Sequence, residues 1–542
     1  MSKSRFVSAL DRNYGENGAV ELDSTSNDNI DLFFKLVRNL PQHSLESLMG
    51  KVLKSENRED IIDLFVLAFQ TRHCRGGKGE KKLFYDMILI LYNAYPALVC
   101  KLIEHIPFYG YYKDYLLLCE LIVDDSKYDY LFNTIISAYA EQLKTDPFSV
   151  KFAPRYNKHF AKNNNTRIFR ALVDKLFPKT HNSFEKYRKM ISEKNKKINT
   201  TEILMCDKRY SEINFSHVSS VCLNKFRKAF LNESIKDPLS YYEQETGNRY
   251  PDDDDRVQCR QHLLDKMKSK DIHGKQLMPH ILVEQIINTR LSESEQTLFN
   301  SQWEKIKEDV LNQINSTNSK TDKKIDLGRL VPLSDVSDSM SGIPMHVSIA
   351  LGLLISEINH KAFRDRVLTF NTVPKWHNLS KCKTFCEKVN SLKSSPWGGS
   401  TDFMKAIENI LEIAITNKLS NDEIPDLIVF SDMQFNEADS KFLTHYEIIK
   451  GKFNNAGYTN IPKIIFWNLR GDTNGFPVDS KCENVQLLSG FSPSLFKLIL
   501  TGEQGETCTP EQVFKNAVND EAYNKIREIV EKHIVNLEYY KI

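Results

Sequence analysis

The sequence predicts two unlike halves, an α region followed by an α/β region: a helical-repeat array, then a doubly wound, mostly parallel sheet. Three observations lead there. At 542 residues the chain exceeds what one typical core can organise. Up to about residue 300, apolar residues recur at three-and-four spacing. Beyond about residue 328, apolar runs of strand length alternate with helical stretches, the rhythm of βαβ units.

The elements follow in order. Residues 1–27 read as a polar tail. Segments 30–40, 58–70, 82–92, 97–106 and 114–123 each carry an apolar face at helical spacing. Breaks at Pro96, Pro107 and Gly110 separate them as in stacked helix pairs. No fixed repeat length emerges, so a HEAT-like array over 28–312 rests on rhythm alone. The acidic run 252–255 reads as an exposed loop, and the polar stretch QINSTNSKTDKKID (313–326) sets a linker at 313–327. In the following region, 328–506, strands are expected at 330–333, 367–370, 427–430 and 464–467, with helices around 344–360, 402–418 and 441–455. Finally Thr509-Pro510-Glu511-Gln512 reads as a capping box with proline in the first turn. It opens a last helix over about 510–534, within a segment 507–542 that packs back on the body.

Composition excludes several classes. The chain is 41% hydrophobic and 27% charged, which argues against wholesale disorder, and its net charge of +2 names no partner. The amino terminus lacks the apolar core of a secretion signal. The most apolar stretch, 87–103, is interrupted by Asn93, Pro96 and Lys101 before reaching a spanning length of about 18 residues. A cytoplasmic protein without a membrane partner is expected, with association with a virus particle an open alternative. Ten scattered cysteines, of which only Cys382 and Cys386 are close, with His377 nearby, lack the second pair of a zinc site and read as reduced structural thiols.

The chemistry concentrates in LSDVSDSMSG, residues 333–342, where an apolar run ends in Asp335, Ser337 and Ser339 at alternate positions. Such residues also cap helices and make turns, so the stretch alone is ambiguous. Two other segments belong with it. Gly398-Gly399-Ser400-Thr401-Asp402 precedes a helix 66 residues after Asp335, counted to Thr401, and Asp432 follows an apolar strand 97 residues after Asp335. All would fall at the carboxyl edge of one sheet, where ligands of α/β proteins collect. Asp335, Ser337, Ser339, Thr401 and Asp432 offer only hard oxygen donors, which suits Mg²⁺, with Mn²⁺ as an alternative. Neutral hydroxyls leave the ion's charge poorly neutralised, so it would still attract an outside carboxylate or phosphate.

This constellation resembles the metal-ion-dependent adhesion site of von Willebrand factor A domains. In that family both serines bind the metal directly, the threonine directly or through water, and the two aspartates usually through water. The resemblance carries these roles onto Ser337 and Ser339, Thr401, and Asp335 and Asp432. The family often has glycine between the serines, where this chain has Asp338. A metal-free relic of the fold is the alternative. An aspartate-based phosphatase would have a second acid where Ser337 stands, so hydrolysis is the weaker reading.

The neutral total hides an asymmetry. Residues 151–230 hold 19 Lys and Arg against six Asp and Glu, a net +13, so the remainder carries −11. Phe152, Tyr156, Phe160, Phe169, Phe177, Tyr187 and Phe226 are interleaved. Phosphate neutralisation and base stacking are what single-stranded nucleic acid requires; a solvated basic face over core aromatics is the competing reading. Candidate RNA contacts are Lys151, Arg155, Lys158, Lys162, Arg167, Arg170, Arg188 and Lys189, with Arg72, Arg75 and Lys78 of the glycine-rich RHCRGGKGEKK turn. That turn is not GxxxxGK[ST] and joins two helices, which excludes a nucleotide-hydrolysing phosphate loop but leaves an anion contact or a structural turn.

RGGKGEKKLF (75–84), YGYYKDYL (109–116), KFAPR (151–155), YRKM (187–190), GKQLMPH (274–280), DVSDSMSG (335–342), WGGSTDF (397–403) and LSGFSPSLFKL (488–498) together resemble the family of domain of unknown function 2828. Its plan is similar to that of the Ro autoantigen, a TROVE-type ring of helical repeats closed by a von Willebrand factor A domain, which binds RNA. The resemblance implies a non-enzymatic RNA-binding scaffold whose metal site captures an acidic side chain of a protein partner. A metal-dependent interaction module without nucleic acid is the alternative, and a phosphoester hydrolase the third reading.

Overall fold

The computed structural model describes residues 12–156, 164–233, 247–269, 271–272, 277–318, 329–394, 397–437, 443–459, 461–499 and 508–534. The chain combines many helices in its amino-terminal part with a later six-stranded, mostly parallel sheet. The strands are β3 (Leu330–Asp335), β4 (Arg366–Phe370), β5 (Lys375–Asn378), β6 (Asp426–Ser431), β7 (Ile464–Asn468) and β8 (Val485–Ser489), after a separate hairpin of β1 (Arg12–Tyr14) and β2 (Val20–Leu22). Spatial order is β5-β4-β3-β6-β7-β8, and only the edge strand β5 runs antiparallel.

Burial on both faces explains the composition of the inner strands: every residue of β3, β7 and β8 is buried. The chain leaves β3 for β4 and β5 on one side, then returns to β6 on the other. Between β3 and β6, therefore, lies the switch point where a crevice opens beyond the strand ends. Pairing of Ser334 with Phe430 sets Asp335 against Ser431, with Asp432 one residue further, at that crevice.

The helix Ile343–Ile358 is apolar around nearly its whole circumference because it is covered twice, by the sheet and by the helix Pro279–Asn288 of the helical part. Gly352 allows its approach to the sheet, since a Cβ there would come within 2.3 Å of Ser334 Oγ. Trp303 stacks on Phe385 at 3.9 Å and donates to Glu357 at 3.2 Å, a second seam between the halves. A third is made by the helix Asp28–Lys35, whose carboxyl end meets the ends of β7 and β8. Its orphan carbonyls accept from Asn468 Nδ2 (to Phe34, 3.0 Å) and Ser489 Oγ (to Phe33, 2.6 Å).

Several expectations are corrected. Arg12–Leu22 is not a free polar tail: the hairpin bridges to Asn436, Thr444 and Phe476, and Arg12 forms a fork with Glu447 at 2.8 and 3.0 Å. Residues 1–11 lie outside the described residues. The acidic run is mostly exposed but only half loop: Asp252 lies in a turn and Asp253 caps the helix Asp254–Lys268, where carboxylates oppose the positive end of the dipole. The polar stretch begins inside the helix Glu293–Asn318, so the helix outruns the boundary drawn at 313. Segment 97–106 is broken into Pro96–Leu102, a 3₁₀ turn Ile103–His105 and the short helix Ile106–Tyr109, with Pro107 in its first turn. The last segment forms two helices, Pro510–Val518 and Asn524–Ile534, with Thr509 Oγ1 accepting from the Gln512 N–H at 3.2 Å. The second of them packs on Arg58–Arg72. Among the described residues no helix is long and apolar enough to cross a membrane.

Candidate metal centre and basic surface

Three loops at the carboxyl edge are stitched together. The turn after β3 gives its Asp338 N–H to the Gly399 carbonyl at 3.1 Å, and Gly398 returns its N–H to the Val336 carbonyl at 2.7 Å. Thr401 offers its carbonyl to the N–H of Asn436, beyond β6, at 2.9 Å. Asp338 itself is exposed and accepts from the Gly399 N–H at 2.8 Å. It therefore holds the neighbouring loop. Gly398 has φ +97°, and a Cβ there would come within 2.6 Å of Asp338 Oδ1, so this turn needs glycine twice over.

Within these loops, Asp335, Ser337 and Asp432 are fully buried and Thr401 nearly so. Ser337 Oγ donates to Asp335 Oδ1 at 2.6 Å and lies 3.2 Å from Ser339 Oγ. Burial, then the nearby charge of Asp432, pushes the Asp335 carboxyl up to about 7, against hydrogen bonds from Ser337 and Ser431 that lower it. Two buried carboxylates close to one another form a place where a cation relieves an existing penalty. With the Ser337 and Ser339 hydroxyls beside Asp335 and Thr401 buried on the adjoining loop, these residues offer only the oxygen donors that a hard divalent ion takes. Among the described residues no group of three or more His, Cys, Asp and Glu converges; the set here has only two carboxylates and lies outside that class.

Sequence reasoning missed Ser431, Arg470 and Asp472. Ser431 Oγ donates to Asp335 Oδ2 at 2.5 Å. Arg470 Nη1 reaches Asp432 Oδ2 at 3.4 Å and the Ser339 carbonyl at 3.2 Å, while its other edge forms a fork with Asp472. Both Ser431 and Arg470 stand at or just past the ends of apolar runs at this same edge, and that position is the signal that could have found them.

The basic residues divide. Arg72 is wholly buried and paired with Asp114, with Nε and Nη2 at 2.9 and 3.1 Å. Lys78 is wholly buried and donates to the carbonyls of Phe33, Leu36 and Ser489 at 2.7, 3.1 and 3.1 Å. Neither can meet a phosphate, so both are corrected to internal clamps. Arg75 is exposed and donates to the Phe108 carbonyl at 2.8 Å. Lys151, Arg155, Arg167, Arg170, Arg188 and Lys189 are exposed, Lys151 pairing with Glu202 and Arg167 with Asp124. Lys158, Lys162 and Phe160 lie outside the described residues. Of the interleaved aromatics, Phe169 and Tyr187 are core, whereas Tyr156 is 38% exposed. Phe184, unremarked in the sequence, is 37% exposed and packs 5.1 Å from Phe169, with Tyr156 6.0 Å away.

Two family profiles match the chain: domain of unknown function DUF2828 over residues 15–127 and domain of unknown function DUF7788 over residues 330–537. Over 524 residues the chain is 30% identical to uncharacterized protein L728 of Acanthamoeba polyphaga mimivirus, a match covering 91% of this chain and 85% of that protein.

Proposed function

This chain belongs to the DUF2828 family, and from that premise we propose that it is a non-enzymatic RNA-binding scaffold with a von Willebrand factor A-type α/β half. The observation that carries the reading is the surface around Tyr156 and Phe184. There two half-exposed rings lean on a buried aromatic pair, and Arg155, Arg188 and Lys189 stand exposed beside them in sequence. Exposed rings held by a rigid base and surrounded by cations supply the stacking and phosphate neutralisation that single strands need. The strand order, the three stitched loops and the all-oxygen donor set support the A-domain reading.

Ser337, Ser339, Thr401, Asp335 and Asp432 would hold Mg²⁺, or Mn²⁺. The bound ion would supply a positive centre for a carboxylate of a protein partner. The chain's own residues do the rest: Ser431 and Ser337 orient Asp335 from both of its oxygens, and Gly398 and Asp338 hold the Thr401 loop in place.

The test is ultraviolet crosslinking of RNA to the full-length protein, with the crosslinked peptides identified and affinity measured against salt. Crosslinks at or beside Tyr156 and Phe184, and an affinity falling steeply with salt, are expected. Salt-insensitive binding, or crosslinks confined to other surfaces, would overturn the assignment.

A further inference from the structure

Arg470 sets a cation against one of the carboxylates of the proposed metal site. Asp432 is fully buried, and its Oδ2 is met by Arg470 Nη1 at 3.4 Å, which also donates to the Ser339 carbonyl at 3.2 Å. One guanidinium edge thus bridges two of the loops that carry the oxygen donors. The other edge, Nε and Nη2, is anchored to Asp472 at 3.0 and 2.7 Å, and that carboxylate is exposed. The backbone holds the arrangement too: the Arg470 N–H bonds Asn468 Oδ1 at 3.0 Å, fixing the turn beyond β7.

We propose that Arg470 is the resident counter-ion of this site, neutralising Asp432 until a divalent cation displaces it. The inference rests on the metal-site reading above. A buried carboxylate requires a compensating charge, and in the structure Arg470 supplies it. A divalent ion held directly or through water by the same carboxylate would compete with the guanidinium for its charge, since like charges repel in a partly desolvated site. Metal uptake is then an exchange of cations. The Nε–Nη2 fork to Asp472 keeps the displaced guanidinium at the rim, so only the Nη1 edge has to yield. The residue sets the affinity of the site without itself being a ligand.

Titration calorimetry on the full chain with MgCl₂ and with MnCl₂ tests this, comparing wild type with Arg470→Gln, Arg470→Met, Arg470→Lys and Asp432→Ala. The two neutral variants are expected to bind the ion about tenfold more tightly, and Arg470→Lys to resemble wild type because its charge remains. Asp432→Ala should lose binding. Circular dichroism and the thermal midpoint check that each variant folds, and the two neutral variants guard against failure of either. If wild type binds and both neutral variants bind equally or more weakly, Arg470 is a strut between loops and the counter-ion role is wrong, although the metal site stands. If wild type binds neither ion, the metal-site reading fails and the exchange fails with it.

Discussion

Lys78 donates to the Ser489 carbonyl at 3.1 Å across 411 residues of sequence, joining a glycine-rich turn of the helical part to the last strand of the sheet. The same ammonium bonds the Phe33 and Leu36 carbonyls at the end of the helix Asp28–Lys35 and lies 4.4 Å over the Phe33 ring. Burial lowers its proton affinity well below that of a free lysine. One side chain therefore serves three backbone groups that water cannot reach.

Lys78→Met keeps the aliphatic stem and strands the Leu36 and Ser489 carbonyls, while the Phe33 carbonyl keeps its bond from Ser489 Oγ at 2.6 Å. Each unsatisfied buried group costs about 1–3 kcal/mol, with partial relaxation expected. A loss of about 3–5 kcal/mol is predicted, in the range for breaking a buried charged network. Urea unfolding of the full chain checks it. A change under about 1 kcal/mol, the size of a single ordinary hydrogen bond, would show that the seam does not depend on this residue.

At the proposed metal site two signs oppose. Asp335→Asn removes a charge whose carboxyl is pushed up to about 7 by burial and by Asp432. A raised folded pKa means that stability is lost as pH rises from the ordinary carboxylate range through about 7, so at pH 8 the metal-free variant should be more stable than wild type. Yet it should lose most of the stabilisation by Mg²⁺, worth about 2.7 kcal/mol for wild type at a hundredfold excess over the dissociation constant. Thermal shifts with and without MgCl₂ measure both. A variant less stable without metal, yet fully responsive to it, would contradict the assignment.

His280 supplies a pH dependence. Burial first, then the charges of Arg38 and His346, hold its imidazole down to about 3 from an ordinary 6.5. Between those values the unfolded chain binds the extra proton, so stability rises with pH through this window and is lost as pH falls from 6.5 toward 3. Comparing wild type with His280→Gln cancels the other titrating groups. Between pH 7 and pH 5, wild type should lose about 2 kcal/mol more than the variant in urea melts.

Tyr156→Ala and Phe184→Ala each remove a half-exposed ring from the basic surface. Base stacking contributes about 1–3 kcal/mol per ring, so each change should weaken a single-stranded RNA by roughly five- to a hundredfold. The salt slope should stay nearly constant. Arg188→Glu should lower the slope as well as the affinity. Fluorescence anisotropy at several salt concentrations distinguishes the two effects.

Much of the element pattern is legible in the amino-acid order. The expected strands at 330–333, 367–370, 427–430 and 464–467 each lie within an observed strand, because residues buried on both faces leave continuous apolar runs. β5, a short edge strand reading KWHN, leaves no such run. The edge shared by Asp335 and Asp432 is legible too, since strand ends of a parallel sheet lie on one side of it. Their neighbours Ser431 and Arg470 stand at the same edge but fall outside the DxSxS, Thr and Asp spacing that marks the others.

What the sequence by itself determined is local: where the chain turns helical or extended, and which loops end on the same edge of the sheet, because periodicity and strand-end position are properties of short segments. Only the tertiary structure decided which charges are solvent-facing. Arg72 at a helix end and Arg75 and Lys78 in the glycine-rich turn after it stand within seven residues, yet two are sealed inside and one is exposed. The cost of burying a cation is met by Asp114 and by carbonyls of Phe33 and Ser489, partners remote in sequence, so nothing within the turn could reveal which role each would take.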